Sequence, residues 1–132
     1  MKRIHHMEDT YLTPHFRLSE FTSSATAQAR GIDNTPTEEI VSNLRHLCEN
    51  VLEPLRQHFG EPITISSGYR PAALNRAVGG AANSQHMTGQ ACDIACARRD
   101  EAELIFDYIR KNLDYDQLIY ESKTGPRQDI VW

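Results

Sequence analysis

At 132 residues, 39% hydrophobic and 24% charged, the chain has the size and apolar content of one globular domain able to bury a core on folding. Its formal net charge is -4 and its 14 Lys and Arg form no run or stripe, so nucleic acid is not an expected partner. No apolar run approaches the roughly 18–20 residues that a membrane span needs, and the start, MKRIHHMEDTYLTPHF, has no apolar stretch behind its positive charge, so we expect no secretory signal peptide in this chain.

Residues 1–17 show no clear periodicity and read as an N-terminal arm, with His5, His6 and His15 as solvated side chains. Leu18 to Gly31 reads as a short helix with Ser19 as N-cap, Glu20 in its first turn and Gly31 as its left-handed stop. In Thr35-Pro36-Thr37-Glu38 the threonine at 35 can cap, proline takes the first helical position and the glutamate completes a capping box. Behind it Ile40, Leu44, Leu47, Cys48, Val51, Leu52 and Leu55 recur at steps of three and four, the stripe of an amphipathic helix, which Pro54 should kink or shorten by a turn. His46 and His58 ride on it among charged and amide neighbours and are expected at the surface.

The β-branched Ile63, Thr64 and Ile65 lie between Gly60 and Gly68, so Pro62 to Ser67 reads as a strand with Arg70 just past its end. Pro71 to Val78 can make a turn or two of helix that Gly79-Gly80 must break. Asn83 to Gly89 is then an ordered loop leading into a second strand, Ala91 to Cys96. If Cys92, Ile94 and Cys96 face the core, Asp93 faces the other way between two alanines, with room for a metal or ligand beside it. From Asp100 as N-cap, Ala102, Ile105, Ile109 and Leu113 mark a second long helix ending near Asn112. Tyr115 to Tyr120 is a third strand, Gly125-Pro126 a turn, and Asp129 to Trp132 a fourth strand. Helices mixed with a closing strand-turn-strand give an α+β class with a small, mainly antiparallel sheet flanked by helices. Cys48, Cys92 and Cys96 are odd in number and contain no CxxC pair, so they read as small buried thiols.

The chemistry-bearing stretch is Ile63 to Cys96, which brings together Arg70, His86 and Asp93 with several glycines. Zinc accepts imidazole nitrogen and carboxylate oxygen, and Gly89 between His86 and Asp93 would let loop and strand converge on one ion. On spacing alone a His-Asp hydrogen bond that holds a loop is the simpler explanation of the pair. Arg70 offers a planar fork of donors suited to a carboxylate, or to an internal acid.

Ser84-x-His86-x-x-Gly89-x-Ala91-x-Asp93, preceded by Ser67-Gly68-Tyr69-Arg70, resembles the signature of the zinc D-alanyl-D-alanine carboxypeptidases, whose fold is shared with the Hedgehog signalling domain. Leu18-Ser19-Glu20-Phe21, Asn75-Arg76-Ala77-Val78-Gly79-Gly80 and Asp116-Gln117-Leu118-Ile119-Tyr120-Glu121 extend the likeness over most of the chain. The resemblance implies a peptidase-like domain over 18–132, zinc as cofactor held by His86 and Asp93, a substrate carboxylate read by Arg70, and a supporting role for Ser84. It also implies metal-assisted hydrolysis of a peptidoglycan stem or cross-link peptide, as a carboxypeptidase or an endolysin endopeptidase. A catalytically inactive module of the same fold that binds wall peptide or metal is the alternative, and an unrelated domain with a structural His-Asp pair is the third.

One departure matters. The family pattern has a third ligand, a histidine on the last strand, with the proton-transferring acid a few residues before it, yet no histidine follows His86. We expect either that the last strand is cut short before that histidine or that the third ligand is missing or supplied by His5, His6 or another molecule. Asp129 and Glu121 are the two candidates for the base, with Asp129 preferred. Such a chain would be cytoplasmic on synthesis and act on the cell wall or periplasm, which fits a phage or prophage lysis enzyme.

Overall fold

The computed structural model of the chain describes residues 9–96, 99–113, 117–121 and 127–131, the last two segments as backbone. The first of its elements is a small hairpin of β1 (Tyr11–Thr13) and β2 (Phe16–Arg17). Residues 11–17, expected as part of an N-terminal arm, are instead built into the fold, with Leu12 and Phe16 buried in the core. Two apolar residues on so short a hairpin are too few to show a period, and the hairpin is held by partners far along the chain. Chief among them is Glu53, only 6% exposed, whose Oε1 accepts the His15 backbone N–H at 3.0 Å and whose Oε2 accepts from His15 Nδ1 at 2.5 Å. His15 is therefore tied down at its ring and its backbone.

This clamp has a pH signature. Burial alone would raise the Glu53 carboxyl, but hydrogen bonds from the His15 ring, the His15 backbone and the Gln57 amide outweigh it and hold the group down to about 2, against an ordinary 4.5. A folded-state value below the unfolded one means that the contribution is complete above the unfolded value and drains away as pH falls from 4.5 towards 2. Thermal melts from pH 6 to pH 2 should show a steep acid limb for the native chain and a shallower one for Glu53→Gln, which starts less stable at pH 6.

The segment expected as one helix from Leu18 to Gly31 is two short ones, α1 (Ser19–Thr22) and α2 (Ala25–Arg30). Ser24 breaks the run by taking an extended conformation and capping α2, its side chain accepting the Ala27 N–H. Ser19 does not cap; its hydroxyl and N–H are bound to the Asp9 carboxylate. Gly31 stops α2 in the left-handed conformation, at φ 65°. Helix α3 (Glu38–Leu47) is capped by Thr37 and not by Thr35, so the capping box drawn on Thr35 and Glu38 does not form. Pro54 acts upstream of itself: it lacks an N–H and its ring crowds the preceding carbonyls, and the turn Cys48–Leu52 widens to π geometry, with Glu53 N–H reaching back to the Cys48 carbonyl. Helix α4 (Glu53–Phe59) then runs to Gly60.

Strand β3 (Thr64–Ser67), helix α5 (Ala72–Ala77), a 3₁₀ turn (Gln85–Thr88) and β4 (Ala91–Ala95) come next, then helix α6 (Arg99–Asn112), β5 (Gln117–Glu121) and β6 (Arg127–Val131). Asp100, expected as the N-cap of α6, lies within its first turn. The Gly125-Pro126 turn lies outside the described residues. The four longer strands form one sheet in the order β3-β4-β6-β5, each pair antiparallel, so the fold is α+β with a small antiparallel sheet flanked by helices.

The α3–α4 stripe is buried throughout and packs with Phe16, Phe21, Cys92, Ile94, Ile105 and Ile109 into one core. Cys48 and Cys92 are buried, Cys96 is partly buried, and burial raises the Cys48 thiol far above its ordinary value. Because Cys92 and Ile94 point into the core, Asp93 projects from the opposite face of β4. No helix among the described residues is long and apolar enough to cross a membrane.

Candidate functional site

Three segments meet at that opposite face. Asp93 stands in the middle of β4, between Ser67 of β3 and Asp129 of β6 in the strand register. The β3–β4 ladder bulges between Ile65 and Ser67, and Ser66 Oγ donates to the Asp93 carbonyl at 3.3 Å. A bulge redirects the residues just beyond it, here the run Gly68-Tyr69-Arg70. That run is laced to two neighbours: Tyr69 N–H donates to the Phe21 carbonyl at 2.8 Å and Arg70 N–H to the His86 carbonyl at 2.9 Å.

The 3₁₀ turn presents His86. Ser84 caps it, accepting the His86 N–H at 3.2 Å, and the same hydroxyl accepts from Arg70 Nη2 at 3.3 Å. The Ser84 hydroxyl is thus one atom that both caps the turn and links Arg70 to it. Gly89 ends the turn at φ 74°, and a Cβ there would come within 3.0 Å of Ile40, so both its conformation and its closeness to α3 call for glycine. Asn75 fills a similar packing role behind the site: it is buried, donates to the Ala81 carbonyl at 2.8 Å, and occupies the space where a Cβ on Gly80 would stand.

The ring of His86 is oriented by its far nitrogen. Nδ1 lies 2.7 Å from the Gly68 carbonyl, which can only accept, so Nδ1 carries a proton and in the neutral ring the lone pair is on Nε2. Nε2 is 3.5 Å from Asp93 Oδ1, and the two side chains are only 4% and 8% exposed. That separation is longer than a charge-assisted hydrogen bond, roughly 2.7–2.9 Å. It does match the spacing of two donor atoms on one tetrahedral zinc, about 3.4 Å for bonds near 2.1 Å. The donor set, one imidazole nitrogen and one carboxylate oxygen, fits the metal that the resemblance implies. Among the described residues no third His, Cys, Asp or Glu joins the pair in a metal-binding group. His5 and His6 lie outside the described residues, and His15 is committed to Glu53.

The two candidate bases differ in placement. Asp129 is the direct Cα partner of Asp93, whereas Glu121 pairs with Arg127 in the row of Ala95. From ordinary strand spacings that puts the Glu121 backbone about 12 Å from Asp93, against about 5 Å for Asp129. Beside Asp93 opens a groove of about 530 Å³, lined by Gly68, Tyr69 and Arg70 and by a wall of Glu20, Ser23, Ser24 and Thr26 from the α1–α2 segment. Sequence reasoning misses the α1–α2 wall as part of the site; its one signal is the family likeness of Leu18-Ser19-Glu20-Phe21, which assigns those residues no role.

Set beside known proteins, a zinc D-Ala-D-Ala carboxypeptidase of Streptomyces albus G is 46% identical over 44 residues, which is 33% of this chain and 17% of that protein. The chain thus spans a small part of that relative's length. The Peptidase M15 family profile matches residues 14–124, from the hairpin that Glu53 clamps to a point just past β5, and takes in Arg70, His86 and Asp93. With the match running through the three segments that carry Arg70, His86 and Asp93, the chain belongs to the Peptidase M15 family.

Proposed function

We propose that this chain is a zinc-dependent peptidoglycan peptidase that hydrolyses a stem or cross-link peptide bond next to a free carboxylate. The observation that carries this reading is the buried pair of His86 Nε2 and Asp93 Oδ1, 3.5 Å apart, with Asp93 lining the groove and a proton held on Nδ1 by the Gly68 carbonyl. His86 and Asp93 would hold the ion. When bound, zinc supplies a Lewis acid for the scissile carbonyl and an acidified water.

The chain's own groups do the rest. The Arg70 guanidinium, held by Ser84, pairs through its fork with the carboxylate of the peptide and sets the scissile bond over Asp93. The carboxylate of Asp129 takes a proton from the attacking water and delivers it to the nitrogen of the leaving amine as the C–N bond breaks and the new C–O bond forms. The register opposite Asp93 supports Asp129 over Glu121 for this step.

The test is digestion of purified peptidoglycan by the zinc-loaded chain, with muropeptides read by mass spectrometry. New termini at a stem or cross-link bond are expected, together with a rise in KM of about tenfold or more for Arg70→Ala, since hydrogen bonds to charged groups contribute about 1.5–3 kcal/mol. Asp129→Ala should lower kcat by about a hundredfold or more, with Glu121→Gln close to native. Unchanged muropeptides accompanied by retained peptide binding would instead establish the alternative, a module of this fold that binds the wall peptide without cutting it.

A further inference from the structure

The groove carries a charge that hydrolysis does not use. Glu20 lines the same groove as Arg70. Its Oε2 accepts the Arg17 backbone N–H at 2.7 Å, which fixes the carboxylate on α1. The Arg17 guanidinium does not neutralise it, because it is turned to Tyr11, whose hydroxyl it reaches at 2.8 Å, and to Asp9 at 3.5 Å. The serines of the same wall are committed to the backbone: Ser23 Oγ donates to the Ser19 carbonyl and Ser24 Oγ accepts the Ala27 N–H. Among the described lining residues of that wall, Glu20 is the only one with a formal charge.

A peptide lying in this groove with its carboxylate at Arg70 therefore meets an anion in the same lining. We propose that Glu20 is a specificity-determining residue that selects peptides carrying a free ammonium group, either the side-chain amine of a diamino acid or a free amino terminus. This rests on the reading of the same groove as a peptide site. The groove's volume falls within the range of sites that enclose ligands of short-peptide size. A carboxylate held by one backbone bond and partly buried attracts an ammonium more strongly than a freely rotating surface acid does, because less side-chain entropy is lost in forming the pair.

Three synthetic peptides of one backbone and one free C-terminal carboxylate separate the possibilities: one with a free lysine side chain and an acetylated amino terminus, one with acetyl-lysine and a free amino terminus, and one acetylated at both. Dissociation constants by calorimetry on the zinc-loaded full chain, with kcat and KM where cleavage occurs, give two independent readouts. We expect one amine-bearing peptide to bind roughly three- to tenfold more tightly than the doubly acetylated one, and to lose that advantage in added salt. The amine that retains the advantage identifies the source. Glu20→Gln preserves an acceptor for the Arg17 N–H and should bring the ratio close to one.

Equal binding of all three peptides by the native chain, absence of binding to any, or a preference that survives in Glu20→Gln overturns the assignment. A preference abolished by Glu20→Gln without cleavage of any peptide supports it while removing the peptidase reading. Cleavage of all three at the same rate does the reverse.

Discussion

Asp93→Ala and His86→Ala are each expected to weaken zinc binding by at least about a hundredfold and to take peptide hydrolysis with it. The magnitude comes from comparison with outer groups: removing a group that only orients a ligand costs roughly 10–100-fold in metal affinity, so removing a ligand itself must cost more. With His86 Nε2 and Asp93 Oδ1 3.5 Å apart and both side chains almost fully enclosed, no other described residue can step in. Metal content after equilibrium dialysis measures the first effect directly. A second measurement is independent of activity, because an ion that binds only the folded chain stabilises it by about 4 kcal/mol at a thousand times its dissociation constant. For a chain of this length that is a rise in Tm of roughly 10 °C. The native chain should show it on addition of zinc and lose it with chelator, while Asp93→Ala and His86→Ala melt at the same temperature with and without the metal. A native chain whose melt and metal content are indifferent to zinc would remove the pair from the metal and leave it as a loop fastening.

The parts of this site legible in the sequence are those encoded within a few residues. Alternation along Ala91 to Ala95 places Cys92 and Ile94 in the core and Asp93 on the other face, and the structure has both. Gly31 is readable as a left-handed stop, and Gly89 as a sharp bend, because glycine has few competing uses where a periodic segment ends. The features that escape a reading of the sequence depend on contacts between distant segments. The hairpin of residues 11–17 is fixed by Glu53, some forty positions later, and shows no period of its own. Thr35 and Thr37 are equivalent as caps by residue type, and the choice falls to where the α3 stripe meets the core. The break between α1 and α2 rests on Ser24, a residue equally at home in loops and at caps. Arg70, His86 and Asp93 are marked by their chemistry, but Glu20 is not, since nothing local distinguishes a helical glutamate that forms the wall of a groove.

Gly68 is a further case of that kind, and its substitution carries a large expected effect. In the sequence it reads as a strand terminator, yet a Cβ built on it would stand 2.6 Å from the Phe21 carbonyl oxygen, 2.7 Å from the Phe21 Cα and 2.8 Å from its Cβ. Two of those three atoms belong to the backbone of α1, which cannot swing aside as the end of a long side chain can. Gly68→Ala must therefore part β3 from α1, straining the 2.8 Å bond from Tyr69 N–H to the Phe21 carbonyl. Overpacking of this sort costs about 1–3 kcal/mol and a weakened buried hydrogen bond about 1 more, so a loss near 3 kcal/mol and a fall in Tm of roughly 10 °C are expected. The carbonyl of the same residue holds His86 Nδ1 at 2.7 Å. As that carbonyl shifts, the imidazole loses the contact that fixes its tautomer and direction, and zinc affinity should drop by roughly 10–100-fold in the fraction that still folds. Gly31→Ala separates this from a general intolerance of substituted glycines: its φ of 65° carries backbone strain, but no atom lies within 4 Å of the added Cβ. That variant should lose about 1 kcal/mol and leave zinc affinity unchanged. If Gly68→Ala binds zinc as tightly as Gly31→Ala does, the Gly68 carbonyl does not orient the metal-facing nitrogen of His86, and the tautomer argument for the pair fails with it.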